Sequence, residues 1–228
     1  MIHTLYGIAT WLVPLVIAIV FHEVAHGYVA RLLGDPTAAR LGRLTLNPVR
    51  HVDPVGTIAV PLGLALLHAP IFGWAKPVPV DASQMRHPRR DMAIVAIAGP
   101  ATNLILALLT AIVIGIGISW SGGALPTPET AGFLATNLIN FLLINVFLAI
   151  FNLLPIPPFD GGHVMEAVLP RRWAIEFAKL HRVAFPVMLF LLVLLPSIMP
   201  SANIVARVVD PIANTVLGSL FRVAGVHP

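Results

Sequence analysis

The segment Phe21-His22-Glu23-Val24-Ala25-His26 places two imidazoles and a carboxylate near the end of an otherwise apolar stretch from Ile8 to Leu33. Ionisable groups at membrane depth cost roughly 2.5 to 3.5 kcal/mol each on insertion scales, so their presence is read as functional. On a helix, His22 and His26 are four residues apart and share one face, which lets both rings reach a single metal ion. Glu23 falls about 100° round from His22, close enough to touch a water on that metal without being its ligand. H-E-x-x-H is therefore the pattern of a zinc hydrolase. With nine His in 228 residues, chance supplies this pattern only about 0.006 times over the length. Two plainer readings stay open. The polar stripe can pair with another helix, or the metal can be structural.

Elements buried in a bilayer must carry this motif. The chain is 57% hydrophobic and 11% charged, with a mean hydropathy of +0.89, whereas soluble domains are about a quarter charged. It is an all-α polytopic membrane protein by composition. The expectation is a single membrane-embedded domain over 1–228, because no soluble stretch reaches the roughly 50 residues of a separate domain. The net charge of +4 comes from basic residues scattered beside apolar segments, a distribution that marks topology and argues against a nucleic-acid partner. No cysteine is present, so disulfides, thiolate ligands and a cysteine nucleophile are excluded. The first apolar segment lacks the basic lead and small-residue cleavage site of a removable signal and is expected to be retained.

Runs long enough to cross about 30 Å of hydrocarbon lie near 7–33, 91–119, 133–154 and 183–199. A fifth run, 55–72, is broken by Gly56, Pro61, Gly63, His68 and Pro70 and reads as a short helix or a re-entrant hairpin. Eight of the 14 Lys and Arg run from Arg31, at the end of the first span, to Arg90, just before the second, and Arg171, Arg172, Lys179 and Arg182 precede the last. If 55–72 returns without crossing, both clusters fall on one side, which the positive-inside rule makes cytoplasmic. We adopt that topology. The N-terminus and the loop Ser119–Gly132 then face outward, and His22 lies near the cytoplasmic end of its helix. The segment 203–223 reads as an interfacial helix.

A catalytic zinc takes three protein ligands and keeps a fourth position for water, so one more His or carboxylate is required. Glu129 falls in the outer loop, Glu166 and Glu176 in an interfacial segment, and Asp53, Asp81 and Asp91 in the basic loop. Asp160 stands apart. It follows Pro155, Pro157 and Pro158 and precedes Gly161 and Gly162, where the prolines end a helix and the chain must line protein or a water-filled cavity. A solvated Asp-Gly turn is the alternative.

With these residues in view, the chain resembles the site-2 proteases, intramembrane zinc metalloproteases. Phe21–His26 is similar to the family's catalytic motif, and Asn152 to Gly161 to its N-x-x-P-x-P-x-x-D-G motif. Phe72 to Val80 and Ala98 to Asn103 are similar to further family segments, so the likeness covers roughly residues 8–170. The resemblance implies a site-2 protease-like helix bundle, with a short re-entrant or β-hairpin element between the first and second main spans. It implies one Zn2+ held by His22, His26 and Asp160, Glu23 as general base and acid, and Asn152 on the substrate backbone. The form expected is the compact one, without the PDZ or CBS domains of larger members. The activity expected is intramembrane endopeptidase action on a transmembrane protein or peptide substrate, near the cytoplasmic side of the plasma membrane and the lipid bilayer, with any regulation left to a membrane partner.

A transmembrane substrate has its carbonyls bonded within its own helix and must unwind before hydrolysis. The proline-punctuated stretch Lys76–Val80 offers an edge that can pair with it, with Pro77 and Val78 at its centre; a loop with fixed turns is the alternative. His163 is close enough in sequence to orient Asp160, and Asn103 serves either helix packing or site lining. A rival class for the whole chain is a zinc-binding membrane transporter or metal sensor, because His and Asp within spans also mark ion pathways.

Overall fold

The computed structural model describes residues 2–60, 62–63, 74–120, 132–190, 194–199, 203 and 205–226. Helix α1 (Ile2–Leu32) is followed by the one-turn α2 (Thr37–Arg40), then by α3 (Pro88–Trp120) and α4 (Phe133–Asn152). Three helical stretches, Tyr6–Leu32, Pro88–Trp120 and Phe133–Asn152, are long and apolar enough to cross a bilayer. They coincide with three of the four expected spans. The short helices α5 (Asp160–Val168) and α6 (Arg171–Ala178) come next, with a 3-10 turn at Lys179–Arg182. The expected span 183–199 lies partly outside the described residues; its described helical pieces are α7 (Ala184–Leu189) and α8 (Leu195–Ile198). A π-turn at Val205–Val209 leads into α9 (Asp210–Val223). Among the described residues there is no strand, and the fold is that of a helical membrane protein.

Lipid tails are as apolar as Leu, so helices in a bilayer associate through close packing of small residues and through interhelical hydrogen bonds. Both devices operate here. Ala107 and Ala111 of α3 are fully buried against Leu142 and Val146 of α4 in the main apolar core. Ala213, Val216, Leu217 and Leu220 of α9 pack on the same core. Buried asparagines tie the three long helices together. Asn140 Nδ2 donates to the Thr10 carbonyl at 2.8 Å, joining α4 to α1, and Asn103 Nδ2 donates to Asn145 Oδ1 at 2.7 Å, joining α3 to α4.

The long connection between α1 and α3 is sutured at several points. Asp35, fully buried, accepts from the Thr37 N–H at 2.9 Å and the Asp81 N–H at 2.7 Å. Asp53 caps the turn Pro54–Ala59 by accepting from the N–H groups of Val55 and Gly56. The Trp74 N–H donates to the Gly56 carbonyl at 3.1 Å, and the Thr57 hydroxyl donates to the Trp74 carbonyl at 2.9 Å. The two ends of the broken run are thereby bonded together. Its middle, 64–73, lies outside the described residues, as do 121–131 of the expected outer loop, including Glu129. Lys76–Val80 is extended without a strand partner among the described residues. The buried Arg43 guanidinium holds it, donating to the carbonyls of Lys76 at 2.9 Å and Pro77 at 3.3 Å.

Candidate metal centre and cleft

The Nε2 atoms of His22 and His26 lie 3.0 Å apart, as the four-residue spacing on α1 requires. Asp160, the first residue of α5, brings Oδ2 to 3.1 Å from His22 Nε2 and 3.4 Å from His26 Nε2. Tetrahedral zinc with bonds of about 2.0 to 2.1 Å holds its ligand atoms roughly 3.3 to 3.4 Å apart. The three atoms therefore already stand close to the edge lengths of a zinc tetrahedron.

Two glycines make this convergence possible. A Cβ on Gly99 of α3 would collide with both imidazoles, so α3 presents bare backbone to the site. A Cβ on Gly161 would collide with the carbonyls of Leu153 and Leu154, so only glycine lets α5 start against the end of α4 and deliver Asp160 inward.

The outer ring nitrogens are fixed. His22 Nδ1 lies 2.5 Å from Asn103 Oδ1 and His26 Nδ1 lies 2.7 Å from the Val95 carbonyl. A carbonyl only accepts, and the Asn103 amide nitrogen is already committed to Asn145, so both imidazoles donate from Nδ1. In neutral rings both Nε2 atoms are then lone pairs, aimed at each other and at a carboxylate oxygen. Asp160 Oδ2 is itself buried without a hydrogen-bond partner. Three such acceptors repel unless a cation or a proton stands between them. Burial would raise the Asp160 carboxyl, but the adjoining His22 and His26 imidazoles outweigh it and hold it down to about 2. The donor set, the spacing and the orphaned oxygen all fit zinc.

Glu23 points to the other wall. Its Oε2 accepts from the Val78 N–H at 2.7 Å. These groups line a cleft of about 680 Å³ whose walls also include Pro77, Val78, Asn152 and His163. That volume is within the range of small-ligand sites.

The model of peptidase family M50 matches residues 128–195. YwhC of Bacillus subtilis, named as a candidate zinc metalloprotease, is 37% identical over 185 residues, covering 79% of this chain and 78% of the relative. The chain belongs to peptidase family M50. Rip2 of Mycobacterium tuberculosis (strain Erdman), named in the same way, is 33% identical over 195 residues, 81% of this M50 chain and 66% of Rip2. Rip2 of Mycolicibacterium smegmatis is 32% identical over 171 residues, 70% of this chain and 55% of that relative. No solved structure matches.

The structure brings every sequence-expected site residue of this M50 chain to the one cleft. Asn152 faces it from the last turn of α4, where its Nδ2 donates to the Leu148 carbonyl at 3.0 Å. Val78 is 6% exposed and gives its N–H to Glu23. His163 lines the cleft beside its partner Glu166, and burial pushes its imidazole below the ordinary value. Asn103, read in sequence as either helix packing or site lining, is fully buried between the helices and holds His22 from behind. Sequence reasoning missed Asn145 and the Val95 carbonyl. A polar residue inside an apolar span was the available signal for Asn145; nothing in sequence marks one backbone carbonyl among many.

Proposed function

We propose that this chain is an intramembrane zinc endopeptidase that hydrolyses peptide bonds of membrane-anchored proteins or peptides near the cytoplasmic face of the plasma membrane, with 1–228 working as one domain. The observation that carries the reading is the meeting of His22 and His26 Nε2 with Asp160 Oδ2 at 3.0 to 3.4 Å, in a cleft that also holds Glu23. His22, His26 and Asp160 would hold the metal. Zinc, when bound, lowers the pKa of water toward about 7 and polarises a scissile carbonyl. Glu23 accepts the water's proton and passes it to the leaving amine. The Val78 N–H keeps that carboxylate against the cleft wall until a substrate enters.

Substrate must arrive unwound, and the extended Lys76–Val80 along the cleft supplies an edge for strand addition. Asn152 can exchange its bond within α4 for the substrate backbone. Packing supports the cytoplasmic placement. Arg89 at the start of α3 donates to the Glu166 carbonyl at 3.0 and 2.7 Å, which draws the basic loop and the segment leading to Arg171–Arg182 to one end of the bundle. The bonds that join Gly56 and Thr57 to Trp74 support a re-entrant course for the run 55–72.

The deciding test uses purified chain in detergent with a single-span substrate. Glu23→Gln is expected to lower cleavage by about 10² to 10⁴ while zinc content stays at one per site, and a chelator is expected to abolish it. Cleavage undiminished in Glu23→Gln overturns the assignment. So does zinc crossing vesicles without any cleavage, the behaviour of a transporter.

A further inference from the structure

Outside the His22–His26–Asp160 centre, a second group of metal-capable side chains converges on the cleft rim. His163 and Glu166 lie one turn apart on α5, and His181 comes from the 3-10 turn Lys179–Arg182. One ligand atom from each falls within 4.8 Å of the others. His181 Nε2 stands 2.7 Å from Glu166 Oε1, and His163 Nδ1 stands 3.7 Å from Glu166 Oε2. The two rings stack with centroids 4.9 Å apart and planes at 22°, so both present nitrogen edges toward the same carboxylate.

We propose that His163, Glu166 and His181 form a second divalent-cation site, for an ion of the borderline class that takes nitrogen and oxygen ligands, such as Zn2+ or Co2+. Two imidazoles and a carboxylate are a competent zinc donor set, and imidazole selects this class over Mg2+ or Ca2+. The present separations of 2.7 and 3.7 Å straddle the roughly 3.3 Å edge of a zinc tetrahedron, so small side-chain rotations complete the site. All three residues are half-buried. His163 lines both the cleft and a neighbouring cavity of about 360 Å³ that also reaches Glu166, which gives an ion a route in.

The frame around the site is already held. The Arg89 guanidinium donates to the carbonyls of Glu166 and Leu169, fixing the end of α5 to the start of α3. An ion would clamp α5 to the 3-10 turn, closing the hairpin that α6 spans, and α5 begins with Asp160. Occupancy therefore stiffens the helix that delivers the third ligand of the first centre. The second site shares no residue with that centre and stands independently of the endopeptidase reading.

The test titrates the full, tag-free chain in detergent with Co2+ and with Zn2+ after chelator treatment, counting bound metal per chain. Two equivalents are expected for the unaltered chain, the second weaker. One equivalent is expected for His181→Gln and for Glu166→Gln, and the retained first equivalent certifies that each variant has folded. A single equivalent in the unaltered chain means an ion-pair network only and overturns the proposal. A second equivalent persisting in both variants overturns it as well.

Discussion

The chemistry of this chain is decided by which nitrogen of each imidazole carries the proton. Asn103 Oδ1 and the Val95 carbonyl take the Nδ1 hydrogens and leave both Nε2 lone pairs for a cation. Outer partners of this kind change metal affinity by about 10- to 100-fold when removed. Asn103→Leu, close in volume but unable to accept, is expected to weaken zinc binding by that factor while the protein stays folded, as read by competition with a chromophoric chelator. Gly99 gives a sharper case. In a helix interior alanine is favoured over glycine by about 0.8 to 1.0 kcal/mol, so propensity alone predicts that Gly99→Ala stabilises α3. The added Cβ would collide with both His22 and His26. Gly99→Ala is expected to lose stoichiometric zinc, and retention of one zinc per chain would show that the bare backbone is not required.

At the scale of elements, the long spans were legible because some 20 successive apolar residues admit little but a membrane helix. The metal motif was legible because its spacing matches one turn of that helix. Asp160 could be picked out as the candidate third ligand because three prolines and two glycines force α4 to stop and α5 to begin where it stands. What sequence could not supply was the partnering across distance. Val78 and Glu23 are 55 residues apart and joined by one backbone hydrogen bond, and His22 and Asn103 are 81 apart. No periodicity encodes such pairs. The extended segment Lys76–Val80 was readable as an element, but its anchor, the buried Arg43, was not. Arg43→Met keeps much of the stem packing and removes the two donors. It is expected to raise KM for a transmembrane substrate several-fold with little change in zinc content. A charge at Val78, as in Val78→Asp, is expected to lower cleavage more severely, since that side chain is buried. Cleavage unchanged in both variants would remove the segment from substrate handling.

At the scale of the whole molecule, topology determines which side of the membrane sees the cleft. If the run at 55–72 crossed the bilayer, Arg31–Arg50 would stand on one face and Lys76–Arg90 on the other, with Arg171–Arg182 on the same face as Lys76–Arg90 because α3 and α4 make two crossings between them. Two contacts oppose that arrangement. Trp74 is bonded to Gly56 and Thr57, and the Lys76 N–H donates to the His51 carbonyl at 2.9 Å. Each joins stretches that a crossing would separate by about 30 Å of hydrocarbon. The absence of native cysteine makes the test direct, because each introduced thiol is the sole one in the chain. Single substitutions Arg50→Cys, Arg86→Cys and Arg172→Cys are expected to react with a membrane-impermeant maleimide only from the cytoplasmic face, and Thr127→Cys only from the opposite one. Labelling of Arg50→Cys and Arg86→Cys from different faces would mean that the broken run spans the membrane. Labelling of all three arginine positions from the outer face would keep the bundle but invert it, carrying the cleft away from the cytosol.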